Sequence, residues 1–231
     1  MRPHLVAEPS EGPLVIFDCN GVLVDSEPIA ASVLAEALKR VGVALSAEAV
    51  ARRFHGRRPA DVFAAVEKAT GRRLPFGFSA DVAAETLRRL RAELRAIPHI
   101  AHALTWIRGP KAAASSSSLD RMRISLEITG LLRFFEPRLY SASDVAAGKP
   151  APDLFLRTAA NCQVDPAACI VVEDSAPGIA AAVAAGMTPI GFVGGSNAPG
   201  RLASDLLANG ARTVIADMRA LKSTIGDLRG W

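Results

Sequence analysis

The chain has 231 residues, with 27 Lys and Arg against 23 Asp and Glu, and a formal net charge of +4. Hydrophobic residues make up 50% and charged residues 22%, which is typical of a globular chain and not of a disordered one. Aromatic residues reach only 5%, so this weak positive charge disfavours a nucleic-acid-binding protein. No apolar run reaches the ~18 residues of a membrane helix. The three cysteines have no metal-type spacing, so we expect a cytoplasmic protein without disulfides.

The predicted strands begin after a short leader. Residues 1–13 contain three prolines and little apolar pattern, and we predict a flexible segment without a chemical role. Leu14–Phe17 is a continuous apolar run, which is typical of a strand buried on both faces of a parallel sheet. Similar runs follow at Lys111–Ala114, Arg138–Tyr140, Cys169–Val172, Thr188–Phe192 and Thr213–Ile215.

Helical stretches separate most of these runs. Apolar residues recur at helical spacing in Leu119–Ile128, Pro152–Asn161, Gly178–Ala185 and Ala216–Leu228. Strands and helices that alternate in this way predict an α/β domain with a doubly wound parallel sheet.

The segment between Phe17 and Lys111 contains no convincing strand. Four stretches in it are rich in Ala, Leu, Arg and Glu and predict helices, at Glu27–Val41, Ser46–Phe54, Pro59–Thr70 and Ser79–Arg95. Gly42 and Gly71 stand where C-terminal caps are expected. We therefore predict a small helical domain inserted after the first strand.

Polar side chains follow four of the predicted strands. In chain order they are Asp18, Asn20, Ser115, Ser116, Lys149, Glu173 and Asp174. Each one alone could be a helix cap or a solvated loop residue. Because the carboxyl ends of parallel strands meet at one edge of a sheet, their joint occurrence favours a single site there. Carboxylates, hydroxyls and one ammonium suit a phosphoryl group bound together with Mg²⁺.

These residues lie in segments that resemble the four signature motifs of the haloacid dehalogenase-like hydrolase superfamily. The first motif corresponds to Phe17–Glu27, the second to Ser115, the third to Lys149 and the fourth to Val171–Ile179. Within the superfamily the pattern resembles the phosphatase and β-phosphoglucomutase branch, which has a helical cap after the first motif. The resemblance implies a Rossmann-like core of residues 14–25 and 99–231 and a cap of residues 26–98.

The resemblance also implies roles for individual residues. Asp18 would be the nucleophile that forms an aspartyl-phosphate. Asp18, the backbone carbonyl of Asn20 and the side chain of Asp174 would ligate Mg²⁺, and Glu173 would hold metal-bound water. Ser115 would donate to a phosphoryl oxygen, assisted by backbone amides near Ser116 and Gly21. Lys149 would neutralise both the nucleophile and the phosphate, which suits a reaction that depends on positioning and charge.

Asn20 departs from the family's pattern. The phosphatases have a second Asp there, which protonates the leaving group and then activates water. An amide can do neither, and such help is typically worth ~10²–10⁴-fold in rate. We hypothesise a catalytically crippled phosphatase, and the intact remaining motifs favour an engineered Asp-to-Asn change. A natural, non-catalytic phosphometabolite-binding protein is the alternative.

Other activities of the superfamily fit less well. A 2-haloacid dehalogenase needs neither a metal nor the second Asp, but it would not need the acidic pair Glu173 and Asp174 either. The mutases have a His twelve residues after the nucleophile, where this chain has Ala30. The phosphonate-cleaving relatives need a cap lysine, and Lys39 and Lys68 lie in no recognisable motif.

Arg52–Arg58 resembles the cap loop that selects the substrate in this superfamily. Gly56 would allow close approach of the backbone, and His55 and Arg57 would face the leaving group. Such donors suit a sugar or polyol phosphate, with or without a further carboxylate or phosphate. A solvated, arginine-rich helix end explains the segment equally well. The expected partner is a small phosphorylated metabolite, and nothing indicates a protein partner.

Overall fold

The computed structural model describes residues 12–196 and 200–229 of the chain. Within these residues, six strands form one parallel sheet in the order β3-β2-β1-β4-β5-β6. The strands are β1 Leu14–Phe17, β2 Lys111–Ser115, β3 Leu139–Ser141, β4 Cys169–Glu173, β5 Thr188–Phe192 and β6 Thr213–Ile215. The chain winds outward from β1 in both directions, which confirms the predicted doubly wound, Rossmann-like α/β fold.

A group of helices connects β1 to β2, and helices also lie between most of the later strands. The described residues form α1 Glu27–Arg40, α2 Ala47–Phe54, α3 Pro59–Thr70, α4 Phe78–Glu93, α5 Ile100–Trp106, α6 Leu119–Ile128, α7 Asp153–Asn161, α8 Ala176–Ala184, α9 Leu202–Ala208 and α10 Leu221–Arg229. Capping residues determine where several of these helices begin or end. The Ser46 side chain accepts a hydrogen bond from the Ala49 amide at the start of α2, and Gly71 ends α3 with a left-handed φ of 66°.

Strand β1 is buried on both faces, as its continuous apolar sequence predicts. Val15 and Phe17 pack into one apolar cluster and Leu14 and Ile16 into another, because successive side chains of a strand point to opposite faces. Asp18 is the first residue after this buried strand, so the strand fixes its position.

Helices α1–α4 enclose an apolar cluster of their own, around Leu34, Leu38, Phe54, Val66 and Phe78. The two chain segments that join this bundle to the sheet run side by side. The Asp25 amide donates to the Arg95 carbonyl at 2.9 Å, and the Ile97 amide donates to the Leu23 carbonyl at 3.0 Å. This short pairing holds the bundle next to the end of β1.

The structure differs from the predicted elements in a few places. Helices α5 and α9 were not predicted, because each has only seven residues and shows too little of a helical period. The last helix begins at Leu221 and not at Ala216, because Asp217 caps a short 3₁₀ turn over Met218–Ala220. The leader predicted for residues 1–13 lies outside the described residues up to residue 11. No helix in the described ranges is both long and apolar enough to cross a membrane.

Candidate active site

The site lies where the winding direction of the sheet reverses. Strands β1 and β4 are neighbours, and the chain continues from them toward opposite edges of the sheet. The crevice at the carboxyl ends of two such strands is the usual ligand site of this fold. Asp18 follows β1, Asp174 follows β4, and Ser115 ends the neighbouring β2.

Lys149 joins the carboxylates of Asp18 and Glu173. Its Nζ donates to Asp18 Oδ1 at 2.5 Å and also to Glu173 Oε1. The three side chains are at most 7% exposed, and Nζ lies 5.3 Å from the ring centre of Phe155. The structure thus brings together the nucleophile and the ammonium predicted from the first and third motifs.

Burial and neighbouring charges shift the pKa values of Asp18 and Lys149. Burial raises the pKa of Asp18, the Lys149 ammonium opposes that rise, and the carboxylates of Glu173 and Asp174 add to it. Burial alone would lower the pKa of Lys149, but Asp18 and Glu173 outweigh burial, so the pKa of Lys149 rises. Lys149 therefore carries its charge at neutral pH.

Glu173 accepts hydrogen bonds from Lys149 and Ser175. It is fully buried, and its Oε2 accepts hydrogen bonds from the amide and the hydroxyl of Ser175 at 2.8 and 2.9 Å. Its Oε1 accepts from Lys149. Both oxygens are thus engaged by protein donors, and through Oε1 Glu173 positions Lys149; its expected role of holding metal-bound water stays a prediction, since a carboxylate has about four acceptor sites.

Asn20 lies in a cradle of three serine hydroxyls. Its Oδ1 accepts from Ser26 at 2.8 Å, and its Nδ2 donates to Ser117 at 2.9 Å and to Ser115 at 3.3 Å. Both polar atoms of the amide, Oδ1 and Nδ2, are therefore within hydrogen-bond distance of a hydroxyl. Because a hydroxyl can either donate or accept, the same cradle can hold an aspartate.

Ser115 and Gly21 each take part in a hydrogen bond within the protein. Ser115 is fully buried, and its Oγ also accepts a hydrogen bond from the Ser117 amide at 3.2 Å. The Gly21 amide donates to the Val24 carbonyl at 2.8 Å, and the expected help of the amides near Gly21 in phosphate binding stays a prediction. Gly21 also permits a close approach: with φ at +77°, a Cβ there would lie 1.8 Å from Asp174 Oδ2.

The cap loop contacts the sheet edge at several points. His55 Nε2 lies 3.0 Å from Asp174 Oδ2, and the Ser116 hydroxyl donates to the Gly56 carbonyl at 3.2 Å. Gly56 has φ at +75°, and a Cβ there would lie 2.5 Å from Ser175 Oγ. Arg57 is exposed and lines a cavity between this loop and the sheet edge. Arg52 and Arg53 are exposed at the end of α2.

The loop and the sheet edge enclose a cavity of about 120 Å³. Its lining includes charged and polar residues that the sequence analysis did not select, namely Glu27, Ser117 and Arg121. Ser117 belongs to the serine run after β2 and was passed over because such runs are usually flexible. Glu27 stands at the beginning of α1, where an acidic residue ordinarily indicates only a favourable interaction with the helix dipole. Arg121 lies in the first turn of α6, outside the four motifs.

The carboxylates fit a divalent cation. Asp18, Glu173 and Asp174 lie together at one edge of the sheet, where three carboxylates face the single positive charge of the buried Lys149. The carboxylates of Asp18 and Asp174 and the backbone carbonyl of Asn20 would hold Mg²⁺. Within the described residues no three His, Cys, Asp or Glu side chains form a complete metal cage. Mg²⁺ binds proteins through one or two carboxylates and keeps water and substrate oxygens as further ligands.

A family profile of haloacid dehalogenase-like hydrolases matches residues 13–186, from the residue before β1 to the end of the helix after β4. The chain belongs to the haloacid dehalogenase-like hydrolase family. The match covers the four motifs that carried the resemblance, and it confirms the family prediction.

Similar proteins agree with this assignment. A 6-phosphogluconate phosphatase of Escherichia coli K12 is 32% identical over 174 residues, which is 75% of this chain and 79% of the relative. A fructose-1-phosphate phosphatase of the same organism is 28% identical, over 76% of this chain and 94% of the relative. A crystal structure of a haloacid dehalogenase-like protein of unknown function from Agrobacterium tumefaciens is 38% identical with a TM-score of 0.82, covering 94% of this chain and 99% of that one. The chain is a hydrolase by family, and both of these relatives from Escherichia coli are named as phosphatases.

Proposed function

We propose that this protein is a Mg²⁺-dependent phosphatase of sugar or polyol phosphates, with turnover strongly reduced by Asn20. The observation that carries the proposal is the buried contact of 2.5 Å between Lys149 Nζ and Asp18 Oδ1. A carboxylate is a usable nucleophile toward phosphate only when its charge is screened, and this ammonium screens it. The relatives named as phosphatases of 6-phosphogluconate and fructose 1-phosphate support this class of substrate.

In the proposed reaction an Asp18 carboxylate oxygen attacks phosphorus and the ester P–O bond breaks. The substrate oxygen leaves with the bonding electron pair and needs a proton. Lys149 offsets the negative charge on Asp18 and the phosphoryl oxygens, and the Ser115 hydroxyl would donate to one of those oxygens. Mg²⁺, when bound, would supply further charge neutralisation and orient the phosphoryl group. Water then attacks phosphorus and releases phosphate, which regenerates the Asp18 carboxylate.

Residue 20 decides the rate of both steps. An aspartic acid in the hydroxyl cradle would give a proton to the leaving oxygen and then take one from the attacking water. Asn20 has the same shape but no proton to exchange at neutral pH, so an unactivated alkoxide must leave unaided and water must attack without a base. The loss is expected to be ~10²–10⁴-fold in turnover.

Nitrophenyl phosphate tests this account on the chain itself. Nitrophenolate leaves without protonation, so the first step does not require an acid at residue 20. The second step still requires a base, so we expect a burst of nitrophenolate stoichiometric with protein, followed by slow turnover. Mass spectrometry of the quenched protein should then find a phosphoryl group on Asp18.

Two variants make this experiment decisive. Asp18→Asn should show neither the burst nor the adduct, and Asn20→Asp should turn over continuously without accumulating it. A phosphoryl group on another residue, or continuous turnover by Asp18→Asn, would refute Asp18 as the nucleophile.

The hydroxyl cradle favours one second candidate, a phosphometabolite-binding protein. Ser26, Ser115 and Ser117 contact the Asn20 amide within 3.3 Å, so Asn20 is well accommodated. This candidate predicts that phosphorylated sugars bind the chain while Asn20→Asp remains inert toward every phosphate monoester. Turnover by Asn20→Asp decides for the phosphatase.

A further inference from the structure

The cavity contains two charged side chains that the proposed chemistry does not use. Arg121 lies in the first turn of α6, Glu27 is the first residue of α1, and both line the cavity beside Asp18 and Asn20. Neither side chain forms a hydrogen bond or a salt bridge with a residue that the structure describes. The Arg121 Nε is buried without a partner.

The buried Nε costs free energy, because it is removed from water and no protein acceptor replaces the water. Burial lowers the pKa of Arg121, and the Glu27 carboxylate opposes that change. The guanidinium of arginine nevertheless stays charged at neutral pH. The cavity therefore holds a fixed positive charge with donors that a ligand can satisfy.

We propose that Arg121 binds a carboxylate of the substrate, at the end of the molecule away from the phosphoryl group. The inference rests on the proposed phosphatase function and narrows its substrate class. The planar fork of N–H donors of arginine matches the two oxygens of a carboxylate. A carboxylate is also smaller than a second phosphate, which suits a cavity of about 120 Å³.

Glu27 restricts the expected class of substrate further. Its carboxylate lines the same cavity and has acceptor capacity that no described residue uses. Burial raises the pKa of Glu27, and the His55 imidazole opposes the rise. Hydroxyl groups of a ligand would satisfy this acceptor without adding charge. A phosphorylated hydroxy acid supplies all three elements: a phosphoryl group for Asp18, hydroxyls for Glu27 and a carboxylate for Arg121.

Titration calorimetry with Mg²⁺ tests the inference on the chain itself, in which slow turnover permits equilibrium binding. The probes are two matched pairs, 6-phosphogluconate with glucitol 6-phosphate and 3-phosphoglycerate with glycerol 1-phosphate. In each pair the second compound has a hydroxymethyl group in place of the carboxylate. For the pair whose length fits, we expect the acid to bind on the order of 10- to 100-fold more tightly, the range of a hydrogen bond to a charged group.

Variants of helix α6 identify the residue responsible. Arg121→Gln should weaken the acid to the affinity of its alcohol partner and leave the alcohol within about threefold, and Arg121→Lys should keep part of the preference. Arg123→Gln is the matched control, since Arg123 lies on the same helix and pairs with Glu136 at the surface.

The possible outcomes separate the two levels of the proposal. Equal affinity within both pairs, or a preference that survives Arg121→Gln, overturns the role of Arg121 and leaves the phosphatase intact. Equal weakening of acid and alcohol by Arg121→Gln also overturns it, because Arg121 would then only balance the charge of Glu27. If no phosphate monoester binds, the proposed function itself fails, and this inference fails with it.

Discussion

Gly56→Ala tests whether the contact between the cap loop and the sheet edge is needed for catalysis. The alanine Cβ would lie 2.5 Å from Ser175 Oγ, whereas 3.4–4 Å is an ordinary contact. Ser175 cannot retreat easily, because its amide and hydroxyl hold Glu173 at 2.8 and 2.9 Å. The loop must therefore move away by about an ångström, which opens the site.

The size of the effect follows from the contacts that the loop would lose. Its withdrawal breaks the hydrogen bond from Ser116 to the Gly56 carbonyl and the contact between His55 and Asp174. A neutral hydrogen bond is worth about 1 kcal/mol and one to a charged group about 1.5–3 kcal/mol. Disfavouring the closed loop by about 3 kcal/mol lowers its population, and with it kcat/KM, on the order of 100-fold.

The assay is phosphate release in the Asn20→Asp background, with urea unfolding measured in parallel. Gly71→Ala is the matched control: Gly71 has φ at +66°, close to the +75° of Gly56, but a Cβ there has no atom within 4 Å. Both substitutions should lower the free energy of unfolding by about 1–2 kcal/mol through left-handed strain. Only Gly56→Ala should lower kcat/KM. Turnover by Gly56→Ala within threefold of its background, or an equal loss in Gly71→Ala, refutes the reasoning.

Two further predictions concern the charges of the site. Lys149→Met leaves the carboxylates of Asp18 and Glu173 without their cation, so we expect a loss of about 3–5 kcal/mol in urea unfolding and no nitrophenolate burst. Lys222→Met, which removes an exposed ammonium above Trp106, should change neither, and unaltered stability of Lys149→Met would contradict the buried pairing. Mg²⁺ should raise the melting temperature of the chain, and a chelator should reverse this, because the ion binds only the folded state. Asp174→Asn and Gly21→Ala should both abolish the rise in melting temperature with Mg²⁺, whereas the exposed control Asp205→Asn should retain it. A full rise in Asp174→Asn would exclude Asp174 as a ligand.

Much of the fold could be predicted because its signals are local. The apolar run Leu14–Phe17 indicated a strand buried on both faces, and the alternation of strands and helices indicated the parallel sheet. The candidate site residues Asp18, Ser115 and Asp174 followed from the rule that ligands bind at the carboxyl ends of such strands. Each of these inferences needs only the order of residues along the chain.

The remaining features depend on contacts between distant segments. The contact of Glu173 with Lys149 depends on how α8 and Lys149 pack against the end of β4, and no sequence period reports this. The Gly21 amide is engaged by a carbonyl three residues later, and only the fold of the turn shows that hydrogen bond. Arg121 and Glu27 face one cavity only because the fold brings the beginnings of α1 and α6, far apart in the sequence, to its lining.

The rate of phosphate release from sugar and polyol phosphates with Mg²⁺, compared between this chain and its Asn20→Asp variant, tests the central claim most directly. The substitution restores an acid and base within the cradle of Ser26, Ser115 and Ser117 and changes no other contact group. We predict that kcat of the variant on its best substrate exceeds that of the chain by ~10²–10⁴-fold. Equal rates for the two proteins would contradict the account, since residue 20 would then carry no proton in the reaction.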